Sequence, residues 1–211
     1  MKKLTQTRLL LVAACLVIVL PAAFVGFTVS KKTESLWFGK YDANAREAYD
    51  FELQAAGGET LRLSDLRGKI VLLNFGFTNC PSICPAVLAN LAAVYRKLTP
   101  ADRDNVRVLF VTLDPARDTA EKLGEYVPFF EASFVGLTGD AAKIAAIAKA
   151  YGVFYQKAPS DSNDPETYMI DHSTETFVID SSGKLRMVFR LDQLPESDRV
   201  VADIHRIRDL R

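Results

Sequence analysis

The sequence predicts an α/β fold: a central mixed sheet flanked by helices. Three observations predict it. Apolar runs alternate with helical patterns from residue 70 to residue 151, and such alternation builds parallel strands joined by crossover helices. Two of the runs, Ile70-Val71-Leu72-Leu73-Asn74-Phe75 and Arg107-Val108-Leu109-Phe110-Val111-Thr112-Leu113, are nearly unbroken by polar residues, as in strands buried on both faces. A late pair of runs, 176–180 and 185–190, is split by Ser181-Ser182-Gly183-Lys184, which adds an antiparallel hairpin.

The chain opens on an appendage. Leu9–Val29 is 21 residues without a charge, roughly 31 Å as a helix and long enough to cross a bilayer. Pro21 and Gly26 are tolerated in membrane helices. Lys2, Lys3 and Arg8 precede the stretch and Lys31 and Lys32 follow it, so the charge bias favours an inside amino terminus only weakly. A cleaved signal would need a better site than Ala22-Ala23-Phe24. A lipoprotein box at Val12-Ala13-Ala14-Cys15 would leave most of the apolar stretch beyond the cut. An uncleaved single-pass anchor is therefore preferred, with residues 1–30 as cytoplasmic tip and transmembrane helix, 31–47 as a tether and 48–211 as the folded domain. The 211 residues are 49% hydrophobic with a formal net charge of zero. That supports one domain with a full core, and no basic stripe suggests nucleic acid.

Within the domain, Phe51-Glu52-Leu53-Gln54 and Leu61-Arg62-Leu63 alternate around Gly57-Gly58 and read as a hairpin. The apolar strand 70–75 is followed by a helical pattern over 86–98, with Pro85 as its first helical residue. After strand 107–113, Asp114-Pro115 ends the run, and Asp114 reads as a turn residue. Thr119 caps a helical stretch reaching Phe130, with Glu121 in its first turn. Ser133–Leu137 is a short strand. Asp140–Tyr151 is an Ala-rich helix stopped by Gly152. Gln156–Thr167 is polar, holds Pro159 and Pro165, and reads as a long exposed loop. The hairpin follows, and Pro195–Leu210 closes the chain as a helix with Val200, Val201, Ile204, Ile207 and Leu210 on its apolar side. Groups at the carboxyl ends of strands 70–75 and 107–113 gather at one sheet edge, which brings Cys80 and Asp114 there together.

Cys80-Pro81-Ser82-Ile83-Cys84-Pro85 carries the chemistry. Residues four apart on a helical turn have Cβ atoms ~5–6 Å apart, a spacing that lets two thiolates share one metal ion. The same pair can form a redox-active disulfide. A structural disulfide would close a loop too small to stabilise much chain. The three-residue spacer favours metal over the two-residue spacer of thiol exchange, and two sulfurs favour a soft ion such as Cu(I). Outside the cell the environment is oxidising, so the pair must tolerate disulfide formation or use it. His172, between the polar loop and a late strand, is the candidate third donor. A lone histidine is otherwise an ordinary surface or core residue, and His205 on the closing helix reads as solvated. Arg117 and Asp118 read as a surface pair. Met169, Met187 and the initiator are too few for a methionine copper box.

Four stretches together resemble one family. Gly76-Phe77-Thr78-Asn79-Cys80-Pro81-Ser82-Ile83-Cys84-Pro85 is similar to the copper-binding turn of the Sco/SenC proteins, the copper chaperones of cytochrome c oxidase assembly. Thr112-Leu113-Asp114-Pro115-Ala116-Arg117-Asp118-Thr119, Phe134-Val135-Gly136-Leu137-Thr138-Gly139 and Tyr168-Met169-Ile170-Asp171-His172-Ser173 resemble the family's other signatures. The likeness runs from about residue 48 to 208. It implies a thioredoxin-like fold and a copper ion, Cu(I) or Cu(II), held by Cys80, Cys84 and His172. It implies Asp114 as a weak ligand or a group behind the ligands. Ser82 stands where many relatives carry an acid. The resemblance further implies a carrier rather than an enzyme, working on the periplasmic face of a bacterial inner membrane. Its recipient would be the dinuclear copper site of cytochrome c oxidase subunit II, with a second periplasmic copper chaperone and a thiol reductase as further partners. The alternative is a thiol–disulfide reductase that prepares or senses the partner's cysteines. Against it, Asp171–Glu175 lacks the proline that thioredoxin-type reductases place opposite their thiols.

Overall fold

Two neighbouring apolar strands organise the sheet. The computed structural model describes residues 36–158 and 167–210, and the domain begins at Gly39. In chain order its elements are β1 (Lys40–Tyr41), β2 (Glu52–Gln54), β3 (Thr60–Arg62), β4 (Ile70–Gly76), α1 (Ile83–Lys97), α2 (Pro100–Asp104), β5 (Val106–Thr112), α3 (Ala120–Tyr126), β6 (Val135–Leu137), α4 (Ala141–Tyr151), β7 (Tyr155–Lys157), β8 (Ile170–His172), β9 (Thr176–Ile179), β10 (Leu185–Phe189) and α5 (Ser197–Arg208). Among the described residues no helix is long and apolar enough to cross a membrane. The expected anchor over Leu9–Val29 lies outside them.

The main sheet has six strands in the order β1-β10-β9-β4-β5-β6. Strands β4 and β5 run parallel from Ile70 opposite Val106 to Gly76 opposite Thr112, and β6 continues the parallel side. Strand β9 pairs antiparallel with β4, and β10 with β9. A parallel βαβ unit beside an antiparallel ββα unit is the mixed sheet expected. Every residue of β4 is buried, as its unbroken apolar run requires of a central strand covered on both faces. Val71, Leu73 and Phe75 share one core with Leu109, Val111, Ile144, Ile147, Tyr151 and Phe177. Phe75, Tyr151 and Phe177 meet there with ring centroids 5.4–6.0 Å apart, near the edge-on spacing aromatic pairs prefer. Helix α1 packs against α5.

The helix signals hold where a side chain caps the first turn. Asp140 accepts the Lys143 amide at 2.8 Å, Thr119 accepts that of Lys122 at 3.2 Å, and Gly152 ends α4 at φ 76°, a conformation that favours glycine. Other expectations need correction. Helix α1 begins at Ile83, two residues before Pro85; amides of the first turn are free in any case, so proline is tolerated there. Helix α3 stops at Tyr126 rather than Phe130; Val127 still has helical angles, but Pro128 has no amide with which to continue the ladder. Helix α2 was not foreseen, although Thr99 accepts the Asp102 amide and Pro100 is its first residue. The stretch expected as tether contributes β1, which pairs with β10; a two-residue edge strand leaves no periodic trace. On α5, Val200, Ile204 and Ile207 are buried; the helix stops at Arg208, and Leu210 beyond it is exposed. The His205 side chain, expected to be solvated, is half-buried: its Nε2 is turned inward, 3.2 Å from an Asp102 carboxylate oxygen supplied by α2.

The polar stretch after α4 hides a second pair of strands. Strands β7 and β8 form a two-stranded antiparallel sheet separate from the main one, with Tyr155 opposite His172 and Lys157 opposite Ile170. Most of their side chains are exposed or half-buried, so no apolar alternation announces them.

Candidate metal centre

The centre forms where β4 hands over to α1. Gly76 ends the strand, and a Cβ on it would lie 2.7 Å from Cys84 Sγ and 2.8 Å from the Phe110 ring. Only a residue without a side chain lets that sulfur rest against the end of β4. The Cys80 amide then donates to the Phe77 carbonyl at 3.3 Å, and the Cys84 amide donates to Cys80 Sγ at 3.5 Å. The Cys80 sulfur thus sits at the amino end of α1 and accepts from one of its amides. Both cysteines are free thiols and buried.

The turn before Cys80 is held from the second signature stretch. Asp118 is fully buried. It accepts the Thr78 amide at 2.9 Å, the Thr78 hydroxyl at 2.5 Å and the Thr112 hydroxyl at 2.7 Å. Lys122 donates to Asn79 Oδ1 at 2.8 Å and lies 3.4 Å from Asp118 Oδ1. The reading of Arg117 and Asp118 as a surface pair is therefore corrected. Burial of an ionised carboxylate is tolerable only with donors of this number. Nothing in the local pattern around Asp118 announces that role.

His172 arrives from β8. Its Nδ1–H donates to the Ser173 carbonyl at 2.6 Å, which leaves the Nε2 lone pair free. Nε2 stands 3.6 Å from Cys84 Sγ. The ring packs edge-on against Phe77 at 5.8 Å. Strand β8 is steadied at this point by Phe154, whose carbonyl accepts the Ser173 amide at 2.9 Å and whose amide donates to Ser173 Oγ at 3.1 Å. Burial pushes the imidazole below its ordinary pKa, so the ring is neutral and able to donate a lone pair near pH 7. Burial also pushes the Cys84 thiol well up, and the neighbouring Cys80 adds to it.

The donor set suits a soft ion. Donors ~2.0 and ~2.3 Å from one ion lie roughly 3.5 Å apart at a tetrahedral angle, close to the separation of Nε2 and Cys84 Sγ. Among the described residues no three His, Cys, Asp or Glu side chains enclose one point at ligating distance; the Cys80 sulfur is turned to the Cys84 amide. Asp114 lies at the same sheet edge, after β5, but both its oxygens are engaged: Oδ2 by Arg117 Nε and Oδ1 by the Tyr168 hydroxyl, each at 2.5 Å.

Comparison with known proteins places the chain in a family. The SCO1/SenC family model matches residues 39–209. A SCO2-like protein of Rickettsia prowazekii is 36% identical over 194 residues, 91% of this chain and 94% of its own length. The solution structure of apo Sco1 from Thermus thermophilus is 39% identical, with a TM-score of 0.73 over 81% of this chain and 96% of its own. The structure of Bradyrhizobium japonicum ScoI with copper bound is 31% identical, with a TM-score of 0.67 over 77% of this chain and 99% of its own.

Proposed function

Since this chain belongs to the SCO1/SenC family, we propose that it is a copper metallochaperone whose cargo is held by Cys80, Cys84 and His172. The recipient is the dinuclear copper site of cytochrome c oxidase subunit II, and the chain works from the outer face of a bacterial inner membrane, anchored by residues 9–29. One observation carries the reading: Nε2 of His172, with its Nδ1–H committed to Ser173, faces Cys84 Sγ at 3.6 Å. A family relative solved with copper bound supports it.

The protein's part in the transfer follows from these groups. Cys84 is a buried thiol that gives up its proton when the ion arrives, so loading releases protons. Cys80 would turn from the Cys84 amide toward the ion. His172 needs no proton change. Three protein donors leave one side of the ion for an incoming ligand, so copper passes by ligand exchange without becoming free. The test is titration of the full chain in detergent with Cu(I) and with Cu(II). Wild type should bind one equivalent of either ion, and Cys84→Ser should lose both. His172→Ala should keep Cu(I) and lose Cu(II) affinity by more than the ~10–100-fold typical of an outer-shell partner. Wild type that binds neither ion would end the reading.

One observation favours thiol exchange as a second reading. Cys80 is 9% exposed against 1% for Cys84 and sits at the helix amino end, the asymmetry of an attacking thiol above a resolving one. Exchange of Cys80 with a subunit II peptide, in a protein that binds no copper, would favour it.

A further inference from the structure

The strand that carries His172 stands apart from the main sheet, and its other end is tied down by an unusual contact. Tyr168 lies four residues before His172. Its hydroxyl donates to Asp114 Oδ1 at 2.5 Å, and Arg117 donates to Oδ2 of the same carboxylate. The Arg117 guanidinium lies 3.6 Å from the Tyr168 ring centroid and the Lys157 ammonium 3.8 Å from it. Asp114 is 2% exposed, and the Arg117 side chain is 8% exposed.

We propose that Asp114, Arg117 and Tyr168 form a clamp that sets where His172 stands, so that Asp114 acts on the metal centre through Tyr168 and not as a ligand. This rests on the reading of His172 as a copper donor. The geometry supports the clamp in three ways. Both oxygens of Asp114 are spent on the clamp, which leaves the carboxylate poorly placed to meet an ion. Lys157 belongs to β7 and Tyr168 leads into β8, so the contact grips both strands of the arm where Lys157 pairs with Ile170. A space of about 460 Å³, lined by Leu113, Pro115, Ala116, Tyr155 and Ile170 among others, lies beside the clamp. Packing against the body is therefore thin there, and the charged hydrogen bonds and cation–π contacts carry the attachment. A shift of the arm moves Nε2 directly, because His172 closes β8 opposite Tyr155.

Tyr168→Phe removes one hydroxyl and leaves the ring between its two cations. In the metal-free full chain in detergent, nuclear Overhauser contact between the His172 ring and the Cys84 β-protons should be strong in wild type and weak in Tyr168→Phe. Cu(II) affinity should fall about tenfold, the scale of one charged hydrogen bond, with loss of the imidazole signature in the Cu(II) spectrum. Cu(I) affinity should change less than about threefold, since two thiolates suffice for it. Asp114→Asn, which keeps an acceptor for Tyr168 but sets its NH2 against Arg117 Nε–H, should retain part of the contact, and Asp114→Ala should lose it. Wild-type His172 contacts in both Tyr168→Phe and Asp114→Ala would overturn the clamp. Cu(II) loss in Asp114→Asn equal to that in His172→Ala, with the His172 contact intact, would make Asp114 a ligand and also overturn it. If His172→Ala binds Cu(II) like wild type, the copper reading fails at His172, while the metal-free contacts still decide the clamp.

Discussion

Cys84 is the residue on which the local constraints converge. Its sulfur lies against the bare backbone of Gly76, faces His172 Nε2 and is too buried to ionise readily. Gly76→Ala puts a methyl group 2.7 Å from the sulfur position, so either the α1 amino end or the Phe110 ring must move. The expected outcome is a loss of ~1–3 kcal/mol in urea unfolding, the usual cost of overpacking, with weakened copper binding. Unchanged stability and binding would mean that the sulfur does not sit where it is described. Asp118 teaches the opposite lesson about legibility. Its sequence neighbours are polar and it precedes the cap Thr119, so it reads as surface; only the fold brings Thr78 and Thr112 onto it.

At the scale of elements, the β9–β10 hairpin shows how one carboxylate specifies a turn. Asp180 Oδ1 accepts the amides of Ser182 and Lys184 at 3.0 Å and the Ser182 hydroxyl at 2.6 Å. Arg186 Nε donates to Oδ2 at 2.9 Å. Burial pushes the Asp180 pKa up, but these donors outweigh it and hold the carboxyl below its ordinary range. A lowered folded pKa adds stability above the unfolded value and loses it as pH falls through the folded one. Asp180→Ala should therefore destabilise by roughly 2–3 kcal/mol at pH 7, and the gap to wild type should close below about pH 4. Denaturant midpoints across that range check it; a pH-independent gap would assign the loss to shape instead. Elements were legible where burial imposed a period or a cap marked an end, as in β4, β5 and α4. Strands β7 and β8 were not, because each is only three residues long and Ile170 alone of the six is buried, which leaves no period to read.

At the scale of the molecule, the proposed metal site joins segments far apart in the chain: the β4–α1 turn and strand β8. A cargo ion that cross-links them binds the folded form and not the unfolded one, so loading must stabilise the fold. Cu(I) at 100 times its Kd should add about 2.7 kcal/mol, roughly 5–10 °C in Tm for a domain of this size. Thermal scans of wild type and Cys84→Ser check it; equal shifts in both would place the copper elsewhere. By itself the sequence determined the sheet class, the central strands, the caps and the thiol pair, because each is written in residues near one another or in a period that burial enforces. The sequence names His172 as a partner of the thiols, but the tertiary structure alone decided that Asp118 is interior, that β7 and β8 pair, and that Nε2 of His172 stands nearest Cys84, at 3.6 Å, while Cys80 turns to an amide. Those contacts arise from chain crossings, and no local pattern encodes which distant side chain a buried group will find.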